Sequence, residues 1–322
     1  TRERSSRPFE LAAGQDQTYR NYAVGVYNPR GGHVIGQVWR DPDSPDYTNV
    51  VFPEGAATFK LLFTTAPVAK VPFLAGSPEW VADIDRASDP ASIEATKVRL
   101  LQVDVAVRDS RSSSAGWVFG TFHFDPAIPA MSPWLKLRPL ALLWGNDPTL
   151  TQSQFEQGQQ PVESWVNGDS PIVQYRANPP AGVTPPPVLG WAGRGNGPVD
   201  NPVSSCLSCH STAQIPALSP MIPRANLSEM QKLRWFRNLA VGEAFDSGSN
   251  GLDFSLQLAV GIQNFQEFRS LVDRRGGFVT SDLGAPKQFL GPRDEQPKFT
   301  SSVPKGEHGM TVPQYRLSRD AD

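Results

Sequence analysis

The sequence predicts an α+β protein with a β-rich, sandwich-like N-terminal body, a smaller helical segment and a C-terminal coil that wraps back over the body. Three observations carry this prediction. Apolar and polar residues alternate over short stretches in the N-terminal half, helical periodicity begins only after residue 210, and proline and glycine are abundant at 31 and 27 residues. Because proline interrupts helices and central strands, short elements joined by ordered loops are expected.

The strand predictions rest on period-two alternation. Segment 98–109 gives the clearest signal, because Val103 and Val105 point to one side and Asp104 between them to the other. A Ser-rich stretch follows it and precedes segment 116–125, which predicts a hairpin. The remaining predicted strands are 22–27, 33–39, 57–65 and 135–144, the last interrupted by Pro139.

Composition divides the chain into three predicted parts: 1–167, 168–275 and 276–322. The middle part opens with a Pro/Gly-rich loop and then becomes helical. Ser228 and Gln231 have capping-box spacing, which predicts a helix to about residue 239. Segment 255–272 places Leu258 and Ile262 on one face of a second helix. The last part is rich in proline, and we expect it to pack on the body as extended coil.

Charge and hydropathy exclude several classes of function. The net charge of −2 and the isoelectric point near 6.1 offer no electrostatic basis for binding nucleic acid or an anionic membrane. No window approaches the ~20 continuous apolar residues of a membrane span, and no apolar run of a secretory signal follows the first residues. No Ser-His-Asp order with supporting context and no HExxH motif is present, so a hydrolase is not indicated.

The residues that most clearly indicate a cofactor lie in one short motif. The chain contains 2 cysteines, and both lie in Cys206-Leu207-Ser208-Cys209-His210. In a C-x-x-C-H motif, two thiols three residues apart can bond to the two vinyl groups of a haem, and the adjacent histidine ligates the iron. The spacing therefore predicts one covalently bound haem c.

Three other interpretations of the motif remain open. A thioredoxin-like dithiol needs a surrounding βαβ pattern, whereas a Pro/Gly-rich loop precedes Cys206. A structural zinc site needs a second pair of ligands, and the other histidines are scattered singly. A short-loop disulfide would account for both cysteines and leave His210 without a role.

On these three residues, the chain resembles the monohaem c-type cytochromes over about residues 200–275. The resemblance implies that His210 is the proximal iron ligand. It also implies attachment of haem outside the bacterial cytoplasm, hence a periplasmic or otherwise exported protein whose signal has been removed. It does not cover the first 200 residues, which exceed what a small electron carrier needs.

The opposite iron position has several candidate ligands. Small c-type cytochromes usually supply a methionine there, and Met221, between two nearby prolines, is the first candidate. His308 and Met310 are alternatives on the C-terminal coil, and an open position is the third option. Further cofactor contacts are predicted for Arg194, as a partner of a haem propionate, and for Trp191 and Trp235, as rings packed on the porphyrin.

These features are compatible with three functions. The first is electron transfer, with the β-rich body docking a redox partner protein. The second is a haem enzyme of peroxidase or oxygen-activating type, with the body shaping a pocket for a small-molecule substrate. The third is a haem-based ligand sensor. A thioether ligand raises the reduction potential and favours electron transfer, whereas an open position admits small ligands.

Overall fold

A computed structural model describes residues 5–85, 93–112 and 115–275 of the chain. The predicted packing of 276–322 on the body, together with His308 and Met310, lies outside the described residues. The prediction of three parts with boundaries at 167 and 275 stays a prediction.

The dominant element is a seven-stranded antiparallel sheet. Six strands follow the spatial order β1-β2-β4-β5-β6-β7, and β3 pairs with β4. A separate two-stranded ribbon is formed by β8 and β9. The strands are β1 (Asn21–Tyr27), β2 (Ala57–Thr64), β3 (Glu79–Asp85), β4 (Ile93–Arg108), β5 (Trp117–Phe124), β6 (Leu137–Leu143), β7 (Ser164–Val166), β8 (Gln214–Ile215) and β9 (Asn250–Gly251).

The mixed fold with a large antiparallel sheet is confirmed, while the sandwich-like arrangement stays a prediction. Strands were correctly expected around β1, β2, β4, β5 and β6, and β4 and β5 form the expected hairpin. Pro139 is accommodated where the β5–β6 register shifts, between Thr121 and Phe122. In the large sheet, β3 and β7 were not anticipated, and neither was the ribbon of β8 and β9.

The predicted strand at 33–39 is wrong, because this segment belongs to a helix, α1 (Pro29–Val38). The side chain of Asn28 accepts a hydrogen bond from the Gly31 backbone N–H at 3.0 Å, and Pro29 occupies the first turn. Both features start helices. Val34 and Val38, four residues apart, are buried on one face, so a helical period explains the segment better than alternation.

The predicted helix from 228 to about 239 is shorter than expected. Ser228 caps it with the anticipated capping box, but this helix, α5 (Glu229–Lys232), is followed by a 3₁₀ turn over Leu233–Phe236. The helix predicted at 255–272 is confirmed as α6 (Leu256–Arg275). No helix in the described ranges is both long and apolar enough to cross a bilayer. The remaining α-helices are α2 (Gln152–Glu156), α3 (Pro171–Ala177) and α4 (Cys206–His210).

The sheet has two faces of different character, defined by the strand register. The inner face carries the cross-strand row Gly25, Lys60, Asp104 and Thr121 and the neighbouring row Tyr27, Thr58, Ala106 and Phe119. The outer face carries the alternate residues of the same strands.

The part of the chain after residue 187 packs on the inner face and shares one core with the sheet. A glycine makes this approach possible: a Cβ on Gly195 would lie 2.7 Å from a Leu143 methyl carbon and 2.8 Å from the Ala141 Cβ. The backbone at Gly195 therefore lies directly on β6. Buried members of the shared core are Ala106, Phe119, Leu143, Trp191, Leu207, Phe236, Phe254 and Leu258.

Candidate functional site

The cysteine motif forms a single helical turn, α4, that is fixed at its start. Ser205 accepts a hydrogen bond from the Ser208 backbone N–H at 3.1 Å, and the Ser208 hydroxyl accepts one from the Ser205 N–H at 2.8 Å. The Ser205 hydroxyl also donates to the Asn146 side-chain oxygen at 3.1 Å. Three short polar side chains thus set the orientation of α4 relative to the loop after β6.

The two cysteines and the histidine of the motif lie at one large cavity. Its volume of about 560 Å³ is in the range of small-molecule and cofactor sites, about 300–1,000 Å³. Cys206, Cys209 and His210 all line it. One helical turn therefore presents both thiols and the imidazole to the same space.

The walls of the cavity come from the inner face of the sheet and from the segments that cover it. The sheet contributes both aromatic rings and polar groups, and α6 closes one side with both apolar and amide side chains. Lining residues include Tyr27, Thr58, Lys60, Asp104, Trp117 and Phe119 from the sheet, and Asn196, Asp200, Pro220, Met221, Ile222, Phe254, Leu256 and Val260 from the later part of the chain.

The hydrogen bond of His210 fixes the tautomer of its ring. His210 Nδ1 lies 2.8 Å from the backbone oxygen of Phe254, and a carbonyl oxygen can only accept, so Nδ1 carries the proton. Desolvation lowers the pKa of His210 to about 4, which keeps the ring neutral near pH 7. Nε2 therefore holds the lone pair, which is the arrangement of a metal-ligating histidine whose other nitrogen donates to the protein.

A buried carboxylate positions the Phe254 carbonyl. Asp253 accepts one hydrogen bond from the Phe52 backbone N–H at 2.7 Å and one from Trp117 Nε1 at 3.1 Å. Both Asp253 and Phe254 have positive φ angles, 45° and 65°. Such angles are unusual for residues other than glycine and need support from the surrounding structure. Asp253 thereby ties the loop that holds His210 to strand β5.

The cysteines do not have the character of a redox-active dithiol. Desolvation raises the pKa of Cys206 well above its ordinary value and that of Cys209 to about 11, so both stay protonated thiols near pH 7. Reactive dithiols have lowered pKa values. In addition, α4 follows a loop, and the large sheet is antiparallel, so no βαβ unit surrounds the motif in the described part of the chain.

A polar cluster lies on the sheet wall of the cavity. Gln102 Nε2 lies 2.6 Å from Asp104 Oδ1 and 3.3 Å from Asp200 Oδ2, so one amide bridges two carboxyl groups. Lys60 forms an ion pair with Asp104 at 3.5 Å, and Thr121 donates to Asp104 at 2.8 Å. Desolvation raises the pKa of Asp104 to about 6, which gives the cavity a carboxyl group that changes protonation near neutral pH.

Of the candidate ligands for the opposite iron position, Met221 lines the cavity, between Pro220 and Ile222. Met221 is therefore in the same cavity as the cysteine motif, although the sequence separation is short.

The structure places Arg194 away from the cavity. Its fully buried guanidinium donates to four backbone oxygens, those of Asn146, Trp191, Asp147 and Leu150, at 2.6–2.9 Å. These bonds hold the loop after β6 against the loop before α4. Arg194 therefore has a structural role, and it does not line the cavity in which the predicted propionate contact would form.

The two tryptophans also lie outside the cavity lining. Trp191 stacks on Phe236 at 4.7 Å, and Trp235 donates from Nε1 to the Pro220 oxygen at 2.9 Å. The aromatic wall that sequence reasoning missed comes from the sheet, where Phe119 lies 4.8 Å from the His210 ring. The sequence predicts a strand over 116–125, but only the strand register shows that the face carrying Phe119 meets α4.

Within the described residues, no group of three His, Cys, Asp or Glu side chains is arranged to hold a metal ion. A four-ligand zinc site at the motif thus gains no support, whereas haem requires only one or two ligands from the protein. Two thiols on one turn, a neutral imidazole and a partly aromatic cavity fit haem c.

Comparisons with known proteins give no independent assignment. No family model, no curated protein and no solved structure matches the chain.

Replacing Asp253 tests the support of the His210 loop. Asp253→Ala leaves two buried donors without an acceptor, so we expect the free energy of unfolding to fall by about 2–4 kcal/mol in urea titrations. Asp253→Asn keeps one acceptor oxygen and is expected to cost less. Equal and small losses for both variants would contradict the proposed support.

Asp104→Asn is expected to remove a pH-dependent cost of folding. As the pH rises, the unfolded chain releases the Asp104 proton first, near pH 4, and the folded protein only near pH 6. The wild type should therefore lose on the order of 2–3 kcal/mol of stability relative to the variant between pH 4 and pH 7.

Urea titrations at several pH values measure this difference. Asp16→Asn is the control of opposite sign, because a hydrogen bond from Lys70 lowers the pKa of Asp16 and its contribution is lost as the pH falls. A difference between wild type and Asp104→Asn that does not change with pH would show that Asp104 is not desolvated.

Proposed function

We propose that this protein is an exported monohaem c-type cytochrome that transfers electrons, with haem bonded to Cys206 and Cys209 and His210 as an iron ligand. The observation that carries the proposal is the hydrogen bond from His210 Nδ1 to the Phe254 oxygen at 2.8 Å. This bond leaves the lone pair of Nε2 available to bind iron, on the same helical turn that presents both thiols. When bound, haem c supplies an iron centre that exchanges single electrons.

The chain contributes binding, orientation and exclusion of water. α4 holds the two thiols and the imidazole in one turn, and the inner face of the sheet supplies the opposing wall with Tyr27, Trp117 and Phe119. An apolar, partly enclosed environment limits solvent at a haem and influences its reduction potential. Met221 is the proposed second iron ligand from the protein, which would favour electron transfer.

The size of the β-rich body supports a role for it beyond holding the cofactor. The sheet is much larger than one wall of the cavity requires, and we propose that the body docks a redox partner protein. Because the family that the motif resembles acquires haem outside the cytoplasm, the proposed location is the periplasm or an equivalent exported compartment.

One observation favours a second candidate function, a haem enzyme of peroxidase or oxygen-activating type. Asp104 and Asp200 line the same cavity as His210, and the pKa of Asp104 is raised to about 6 by desolvation. A carboxyl group that titrates near neutral pH beside a cofactor suits general acid–base catalysis. This candidate, like a ligand sensor, requires an open iron position in place of Met221.

Attachment of haem is tested by expression in a host with c-type haem maturation. The double variant Cys206→Ala/Cys209→Ala should carry no haem that survives denaturation, as measured by haem staining of a denaturing gel. His210→Ala should lose the visible spectrum of low-spin iron. His33→Ala is the matched control, because His33 is exposed on α1 and does not line the cavity. Haem that persists on the denatured double variant would contradict the proposal.

The role of Met221 separates the two candidate functions. If Met221 ligates the iron, the ferrous wild type should bind carbon monoxide poorly, and Met221→Ala should bind it readily and lose the sulfur–iron charge-transfer band. Met230→Ala is the control, since Met230 is largely exposed on α5. Rapid carbon monoxide binding by the wild type, unchanged in Met221→Ala, would favour the enzyme or sensor.

A further inference from the structure

The outer face of the large sheet is apolar from one edge to the other. One row of directly facing cross-strand partners is Val26, Phe59, Val105, Gly120, Leu142 and Trp165, and the next is Val24, Leu61, Val103 and Phe122. Beside them, Phe63 packs edge-to-face on Trp80 at 5.1 Å. Neither row contains a charged residue. We call the residues of these two rows the outer face.

Much of this surface is open to solvent in the described chain. Val24 is 54% exposed, Val26 47%, Trp165 43% and Phe59 40%. The inner face of the same strands carries Lys60, Asp104 and Thr121 at the corresponding level. In an antiparallel sheet that has one solvated face, the polar residues normally occupy that face. Here a row of the inner face carries Lys60, Asp104 and Thr121, whereas the two solvent-facing rows are apolar.

We propose that the outer face is the interface of a homodimer, in which the sheets of two copies pack face to face. A sheet with an uncharged apolar face is complementary to a second such sheet, and stacked sheets lie about 10 Å apart with interdigitated side chains. A two-fold axis through this face would place the same residues on both sides. The two sheets would then form a sandwich between two copies of the chain.

The area of this side of the sheet approaches that of a stable interface. Five strands of about seven residues and the three-residue β7, spaced about 4.8 Å apart with about 3.4 Å per residue, present roughly 600 Å². A stable protein–protein interface of standard size buries about 800 Å² on each partner. Homodimer interfaces are also more apolar than the rest of the protein surface, as this face is.

The other occupants are less complementary to the face. Residues 276–322 are long enough to reach it, but 12 of these 47 residues are Asp, Glu, Lys or Arg, and their apolar residues do not alternate over a long stretch. Burial of such charges against an apolar sheet would carry a desolvation cost. A second copy offers an uncharged face of the same size.

Sedimentation velocity of the full-length protein over a range of concentrations tests the proposal. We expect the wild type to sediment as a dimer at micromolar concentration. Phe59→Lys would bury an ammonium group of each copy in the interface and should weaken dimerisation at least about 30-fold. Val162→Lys is the matched control, because Val162 is 78% exposed and lies outside the outer face; this variant should remain a dimer.

A second variant guards against misfolding of Phe59→Lys. Val24→Thr/Val26→Thr keeps the shape and strand preference of two half-exposed residues and should also weaken the dimer. A monomeric wild type would overturn the proposal, and so would a dimer that survives both sets of changes in protein with unaltered circular dichroism. The measurement does not require haem, so its outcome is independent of the proposed function.

Discussion

The hydrogen bond between His210 and the Phe254 carbonyl is the interaction on which the rest of the site depends. It fixes which nitrogen of the imidazole carries the proton and hence which one can bind iron. Residues 253 and 254, which bring this carbonyl to His210, adopt unusual backbone angles, and Asp253 supports them through hydrogen bonds from Phe52 and Trp117. The orientation of the His210 ring thus depends on the sheet through a buried carboxylate.

The sheet therefore has two separate tasks. Its inner face supplies polar and aromatic groups to the cavity, and the loops before α4 reach it because Gly195 lets the backbone lie directly on β6. Arg194 reinforces this approach by binding carbonyl groups from both loops. Its outer face is apolar and exposes Val24, Val26 and Phe59 to solvent. The length of chain that seemed excessive for a small cytochrome thus forms a cavity wall on one side and a large apolar surface on the other.

Local patterns predicted the local structure well. Alternation identified most strands of the sheet, and Ser228 with Gln231 marked the start of α5. The strand expected at 33–39 was wrong because the capping of α1 depends on one side chain, that of Asn28, which also occurs in turns. Spacing alone singled out Cys206, Cys209 and His210, which line one cavity. Phe119, Tyr27 and Asp253 were not, because their nearness to α4 depends on strand register and on contacts between residues far apart in sequence.

The predictions for Arg194, Trp191 and Trp235 failed because they relied on nearness in sequence. These residues are close to the motif along the chain, yet they pack beside the cavity and support the loops.

The central claim is a covalent bond between haem and the two cysteines. Intact-mass spectrometry of the denatured protein, produced with haem maturation, tests it most directly. The account predicts a single species heavier than the polypeptide by the mass of one haem; a mass equal to that of the polypeptide alone would contradict it.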